Sequence, residues 1–126
     1  MTHHRRLGAL AFVACAAFLV ASCSAAPDAV LTSAPQRPAD CNEAIAAVWP
    51  PPLQARAQRI SFRESRNTPW AQNRRSSAAG CFQLLALHAG RFGKLGLDWG
   101  RDRYDALANT QVAFDLFLEQ GWRPWS

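Results

Sequence analysis

Glu64-Ser65-Arg66-Asn67-Thr68-Pro69-Trp70-Ala71-Gln72-Asn73-Arg74-Arg75-Ser76-Ser77-Ala78-Ala79-Gly80-Cys81-Phe82-Gln83 separates two helical patterns in this chain. Upstream, Leu53, Ala57, Ile60 and Glu64 recur at spacings of four, three and four, which puts them on one face of a helix from about Leu53 to Ser65. Arg56, Arg59, Arg63 and Arg66 fall on the opposite face. Glu64 is therefore the one charged residue on an apolar stripe, in the last turn. Asn67 to Ala79 has loop composition, Gly80 permits a tight turn, and Phe82 and Leu84 to Leu87 open another buried segment.

Working outward, a helix is expected from about Gln83 to Phe92. Gly90, Gly93, Gly96 and Gly100 make the region after it irregular. A last helix runs from about Ala106 to Gln120, with Asn109, Ala113, Leu116, Phe117 and Gln120 as its stripe and Gly121 as its C-prime residue. Trp122 and Trp125 then pack back on the core. On the N-terminal side, Asp40 with Glu43 reads as a capping box for a helix from Cys41 to about Trp49, stopped by Pro50-Pro51-Pro52. No segment has strand periodicity of useful length. The fold class expected is a small all-α domain with an irregular loop and one disulfide.

The first residues read as a targeting segment. Arg5 and Arg6 precede an uncharged apolar run from Leu7 to Ala21, the length of a signal core and short for a membrane span. Val20-Ala21-Ser22-Cys23 looks like a lipobox, which makes Cys23 the lipid attachment site; the alternative is an ordinary signal cut near Ala25 or Ala26. The domains expected are a signal peptide at 1–22, a Pro/Ala-rich tether at 23–40 and a folded domain at 41–126. An extended tether of sixteen residues, Ser24 to Ala39, reaches about 50 Å.

Removing Arg5 and Arg6 lowers the formal charge from +5 to +3. That suits an anionic wall or lipid headgroups and is too weak a bias to argue for nucleic acid. Of the cysteines outside the signal and the lipid site, Cys41 and Cys81 remain. In an oxidising compartment they pair; the alternative is two buried free thiols. His88 is the only His in the expected mature chain, and two Cys with one distant His make a poor zinc set. No metal or cofactor is expected.

Glu64-Ser65 at a helix end, a polar loop and Gly80-Cys81-Phe82-Gln83 together resemble the active-site half of the lysozyme-like lytic transglycosylases (the SLT type), over roughly residues 41 to 126. The resemblance implies a lysozyme-like fold, with Glu64 as general acid and then base. It implies sugar contacts from Gln83 and from Asn73, which stands nine residues after the acid where the family often has Ser. Ser65 and Asn109 complete the substrate-binding set. Asn73 also reads as a turn residue and Gln83 as a helix-start residue. Asn109 and Ala113 fit a further family pattern, but Leu116 stands where a Tyr is typical; Tyr104, the only Tyr, is elsewhere. Gly121-Trp122-Arg123-Pro124-Trp125 resembles the Gly-Trp-x-x-Trp close of small actinobacterial members.

A glycosidic oxygen leaves when a carboxylic acid protonates it, which requires an acid kept neutral by apolar surroundings or unfavourable charge. Glu64 has the stripe and a helix C-terminus on its side, and the wheel points Arg63 and Arg66 away. Asp98, Asp102 and Asp105 are candidates for a second carboxylate, and read as solvated loop and N-cap charges. The expected protein is exported, lipid-anchored in the cell membrane and facing the wall. It is a monomer whose partner is the peptidoglycan glycan strand. The expected activity is cleavage of the MurNAc–GlcNAc β-1,4 bond by one Glu. A hydrolytic lysozyme stays open, as does a non-catalytic peptidoglycan-binding lipoprotein on the same fold. A disulfide-stapled helical interaction module requires the Glu64 to Gln83 match to be chance.

Overall fold

The computed structural model describes residues 36–126. The signal segment, Cys23 and the tether up to residue 35 lie outside the described residues. Helix α1 is Cys41–Val48. Asp40 caps it, its carboxylate accepting from the Glu43 N–H at 2.8 Å, while Glu43 Oε2 accepts from the Ala39 N–H at 3.1 Å. Upstream of the cap, Arg37 makes a two-pronged contact with Asp105, Nε to Oδ2 at 3.0 Å and a terminal nitrogen to Oδ1 at 2.8 Å. The last residues of the expected tether are thus fastened to the domain.

Helix α2 is Pro51–Ser65, two residues longer at its start than the stripe predicts. Prolines fit the first turn because their missing N–H groups have no intrahelical acceptor there. α2 ends at Arg66 in a left-handed conformation, φ 57°, and Asn67 follows with the same φ. Neither is glycine, and for Arg66 that backbone is costly, of order 1–2 kcal/mol.

The helix expected from Gln83 to Phe92 does not form there. Gln83 sits at φ 48°, and Ala79 and Leu84 exchange both backbone hydrogen bonds at 3.0 Å, so the chain closes a turn over 79–84 instead. A 3-10 turn, Ala86–His88, leads into α3, Ala89–Lys94. Gly90 and Gly93 therefore lie inside a helix, and only Gly96 (φ 72°) takes a glycine-type turn in this stretch. The short α4 is Trp99–Asp102, and α5 is Ala106–Gln120, with the boundaries the sequence predicts. Asp98 and Asp105 cap α4 and α5, accepting from the Arg101 and Ala108 N–H groups at 2.8 Å. Gly121 ends α5 at φ 63°, its N–H donating to the Phe117 carbonyl at 2.7 Å. A final 3-10 turn is Arg123–Trp125.

α1 packs on α5 and α2, and α3 packs on α5. The centre of the core is Trp49. Its ring stacks on Phe82 at 5.6 Å and on Trp122 at 5.3 Å, with Phe114 and Phe117 at 5.0 and 5.2 Å. Trp125 meets Phe82 edge-on at 5.7 Å. Both C-terminal tryptophans do pack back on the core. The Cys41–Cys81 disulfide joins α1 to the turn that carries Phe82. Helices occupy 59% of the described residues and no strand occurs among them, which makes the domain all-α. Two isolated bridges, Gln72 with Ala79 and Ala79 with Leu84, are the nearest approach to a sheet.

Asp102 differs from the solvated charge expected of it. It is buried, and its carboxylate accepts from Arg101 Nε and a terminal nitrogen and from the Asp98 N–H, all at 2.8 Å. Arg101 first, then the Asp98 N–H, hold its pKa down to about 2.

Two outcomes follow. A folded-state pKa below the ordinary carboxylate value adds stability that is present above about pH 4 and lost as pH falls towards 2. Acid titration followed by circular dichroism should show that loss, and Arg101→Ala should flatten it. Breaking the Cys41–Cys81 bond, which closes a separation of 40 residues, should cost about 3–4 kcal/mol in chemical denaturation. Unchanged stability in reductant would show that the bond does not restrain the unfolded chain.

Candidate functional site

The site is built at the join of α2 and the Gly80 turn. Ser65, the last residue of α2, is buried. Its Oγ lies 3.0 Å from the Ser61 carbonyl and 2.9 Å from the Cys81 carbonyl, and its single hydroxyl proton serves one or the other. It also accepts from the Thr68 N–H at 3.3 Å. Ser65 therefore fastens the helix end to the turn. The buried stripe of α2 is Ala57, Ile60, Ser61 and Ser65, which leaves Glu64 at its edge rather than on it. Small serines at 61 and 65 let the Cys81 turn approach the helix closely.

Glu64 is partly open, its side chain 27% exposed. Arg63 does not point away as the wheel predicts. Its long side chain turns back, with Nε at 3.0 Å and a terminal nitrogen at 2.8 Å from Glu64 Oε1. The same terminal nitrogen donates to the Trp125 carbonyl. Trp125 Nε1 in turn donates to the Phe82 carbonyl at 3.1 Å. A continuous path runs from the Gly80 turn through the C-terminal tryptophan and Arg63 to the carboxylate. Both Arg63 contacts fall on Oε1, and Oε2 has no hydrogen-bond partner among the described residues.

Asn109 is fully buried on α5 and organises the turn. Its Oδ1 accepts from the Phe82 N–H at 3.0 Å, and its Nδ2 donates to the Ala79 carbonyl at 3.0 Å and the Arg103 carbonyl at 2.9 Å. Gly80 lies against it. A Cβ there would stand 2.2 Å from Asn109 Nδ2 and 2.4 Å from the Arg103 carbonyl, and the φ of 79° is itself a glycine conformation. Gln83 is neither a helix start nor a free amide. Its Nε2 donates to the Ala71 and Gly80 carbonyls, both at 3.1 Å.

Asn73 is exposed on the loop. Its Oδ1 accepts from the Arg75 N–H at 2.8 Å, the local pattern of an Asx turn. Leu116 is buried in the core of α5, so no Tyr-like contact arises from it. The structure thus brings Glu64, Ser65, Gln83 and Asn109 around one turn, and places Asn73 on the loop that arches from it. Sequence reasoning does not single out Trp70, which is 74% exposed on that loop, one residue before the Ala71 carbonyl held by Gln83. A tryptophan in an otherwise polar loop is the signal that points to it. Two described grooves lie apart from Glu64. One, beside α5, is lined by Val48, Leu95, Phe114 and Leu118, and the other runs along α2.

No protein-family model, no curated protein and no solved structure matches this chain.

The turn offers a sharp contrast between glycines. Gly80→Ala should destabilise the domain by about 2 kcal/mol or more, in the upper part of the usual range for single substitutions. Gly90→Ala, with nothing within 4 Å of the new Cβ inside α3, should stabilise by about 0.5–1 kcal/mol. Urea denaturation of the two variants against the parent checks both signs.

Proposed function

We propose that this chain is a peptidoglycan-cleaving enzyme, a lysozyme-like lytic transglycosylase that uses Glu64 as its one acid and base. The observation that supports it is the placement of Glu64. A single, partly open carboxylate ends α2 and is tied through Ser65 to the Gly-x-x-Gln turn. That is the arrangement the sequence motifs imply. Delivery by a lipid on Cys23 belongs to the same proposal, as does action on the cell wall as a monomer.

In this reading Oε2 is the oxygen that meets the substrate, because Arg63 occupies Oε1. Glu64 protonates the leaving glycosidic oxygen as the sugar ring takes on oxocarbenium character. It then accepts the proton of the sugar's own 6-hydroxyl, which closes a 1,6-anhydro ring. A water in that place gives a reducing end and makes the enzyme a lysozyme. Trp70 offers an aromatic face to the apolar side of a sugar ring.

One observation favours a second reading, a wall-binding protein without turnover. Hydrogen bonds from Ser65, Gln83 and Asn109 all go to the domain's own backbone. Few polar side chains are left to orient a sugar, and Glu64 has a cationic partner to shed before it can deliver a proton.

Purified sacculi digested by the full chain decide between the two, with mass spectrometry of the released muropeptides. General acid–base catalysis contributes about 10²–10⁴-fold, so Glu64→Gln should lower release by at least that factor while wall binding survives. Release at the parental rate would remove Glu64 from the chemistry. Binding by the parent without any release would favour the second reading.

A further inference from the structure

Arg56, Arg59, Arg63 and Arg66 run along the outward face of α2 at spacings of three and four. The domain holds three of them in place. Arg56 lies over the Trp122 ring and Arg66 over the Phe62 ring, both at 4.7 Å, and Arg63 is bound to Glu64. Arg59 is exposed and has no carboxylate partner among the described residues. Among the described residues Glu64 is thus the only carboxylate paired with any of the four, and the face keeps a surplus of positive charge.

Beside Arg59 lies an open, shallow groove of about 720 Å³. Ala55 and the half-exposed Phe62 give it an apolar floor. Asn42 and Gln58 line it with amides that both donate and accept. Asn67, in its left-handed conformation, also lines it. Its Oδ1 is buried without a hydrogen-bond partner among the described residues.

The donor set selects a ligand class. A guanidinium takes a carboxylate, side-chain amides take backbone amides, and the apolar floor takes aliphatic carbons. A bare phosphate group would use the guanidinium alone and leave the amides and Phe62 idle. A neutral glycan would leave the charge idle. An acidic peptide uses all three. We infer that the α2 groove binds the carboxylate-bearing peptides attached to wall glycan strands, with Arg59 as their anchor. The identity of the peptide rests on the wall-directed reading above; the groove's preference for a carboxylate-bearing peptide does not.

The test is co-sedimentation of the full chain, in detergent, with two preparations of insoluble sacculi. Both are freed of phosphate polymers, and one is stripped of its peptides by an amidase. The parent should bind peptide-bearing sacculi more tightly than stripped ones. Arg59→Ala should lose about tenfold on the peptide-bearing material and nothing on the stripped. Phe62→Ala should fall in the same arm. Both positions are exposed, and circular dichroism should show an intact fold. Equal binding of the parent to both preparations overturns the proposal, as does an equal loss by Arg59→Ala on both. A loss by Arg59→Ala confined to phosphatidylglycerol vesicles would assign the face to the membrane and also overturn it. Glu64→Gln separates the two readings. If it cleaves at the parental rate while the peptide-dependent loss at Arg59 persists, the assignment of Glu64 as acid and base fails and the groove stands.

Discussion

The Asn109 side chain is the contact on which the rest of the domain depends. It satisfies the Phe82 N–H and the Ala79 and Arg103 carbonyls at once, from a fully buried position on α5. A buried amide with its partners made is inexpensive, and the same amide with a partner removed is not. Its demand fixes Gly80, because only a residue without a Cβ fits against Nδ2. Gly80 in turn lets the chain reverse so that Cys81 reaches Cys41 and Phe82 reaches Trp49. The disulfide and the aromatic stack therefore clamp a turn whose path is already set by one hydrogen-bonding side chain.

The C-terminus completes that clamp and carries it to the candidate acid. Trp122 stacks on Trp49, and Trp125 closes on Phe82 through both its ring edge and its Nε1. The Trp125 carbonyl then holds Arg63, which holds Glu64. The Gly-Trp-x-x-Trp close thus does more than cover the core. It fixes where Arg63 stands beside Glu64, and leaves Oε2 without a hydrogen-bond partner among the described residues.

What the sequence makes legible is what local chemistry decides. α1 and α5 begin at Asp caps and α5 ends at a glycine, and all of these are visible as residue types. The disulfide follows from elimination among four cysteines. The turn over 79–84 is not legible in the same way. Its apolar run from Leu84 to Leu87 reads as helix, and what wins is a tertiary demand: Asn109, 27 residues further on, takes the Phe82 N–H for itself. Asp102 is missed for a related reason, since its burial depends on Arg101 folding back over it. On α2 the stripe is right in direction but one position off in phase, because Ser61 and Ser65 bury as readily as apolar residues once their hydroxyls meet carbonyls. Arg63 defeats a helical wheel altogether. A side chain that long is not bound to the direction of its Cβ.

The polar residues that the motifs single out divide into two kinds, and the division follows burial. Ser65 and Asn109 are buried, Gln83 is half-buried, and all three bond to backbone. Glu64 and Asn73 are the open ones, and Trp70 joins them on the same loop. In a domain this small the framework that holds a turn and the surface that meets a ligand compete for the same few polar side chains. Here the framework takes most of them. On the proposed function, recognition falls to groups that cost the core nothing, which are the exposed aromatic of the loop and the outward arginines of α2. A glycan strand that carries acidic peptides presents a matching pair of features, apolar ring faces and carboxylates. On the proposed function, this division of labour means a substrate held mainly from its periphery, with Glu64 as the acidic group at the centre.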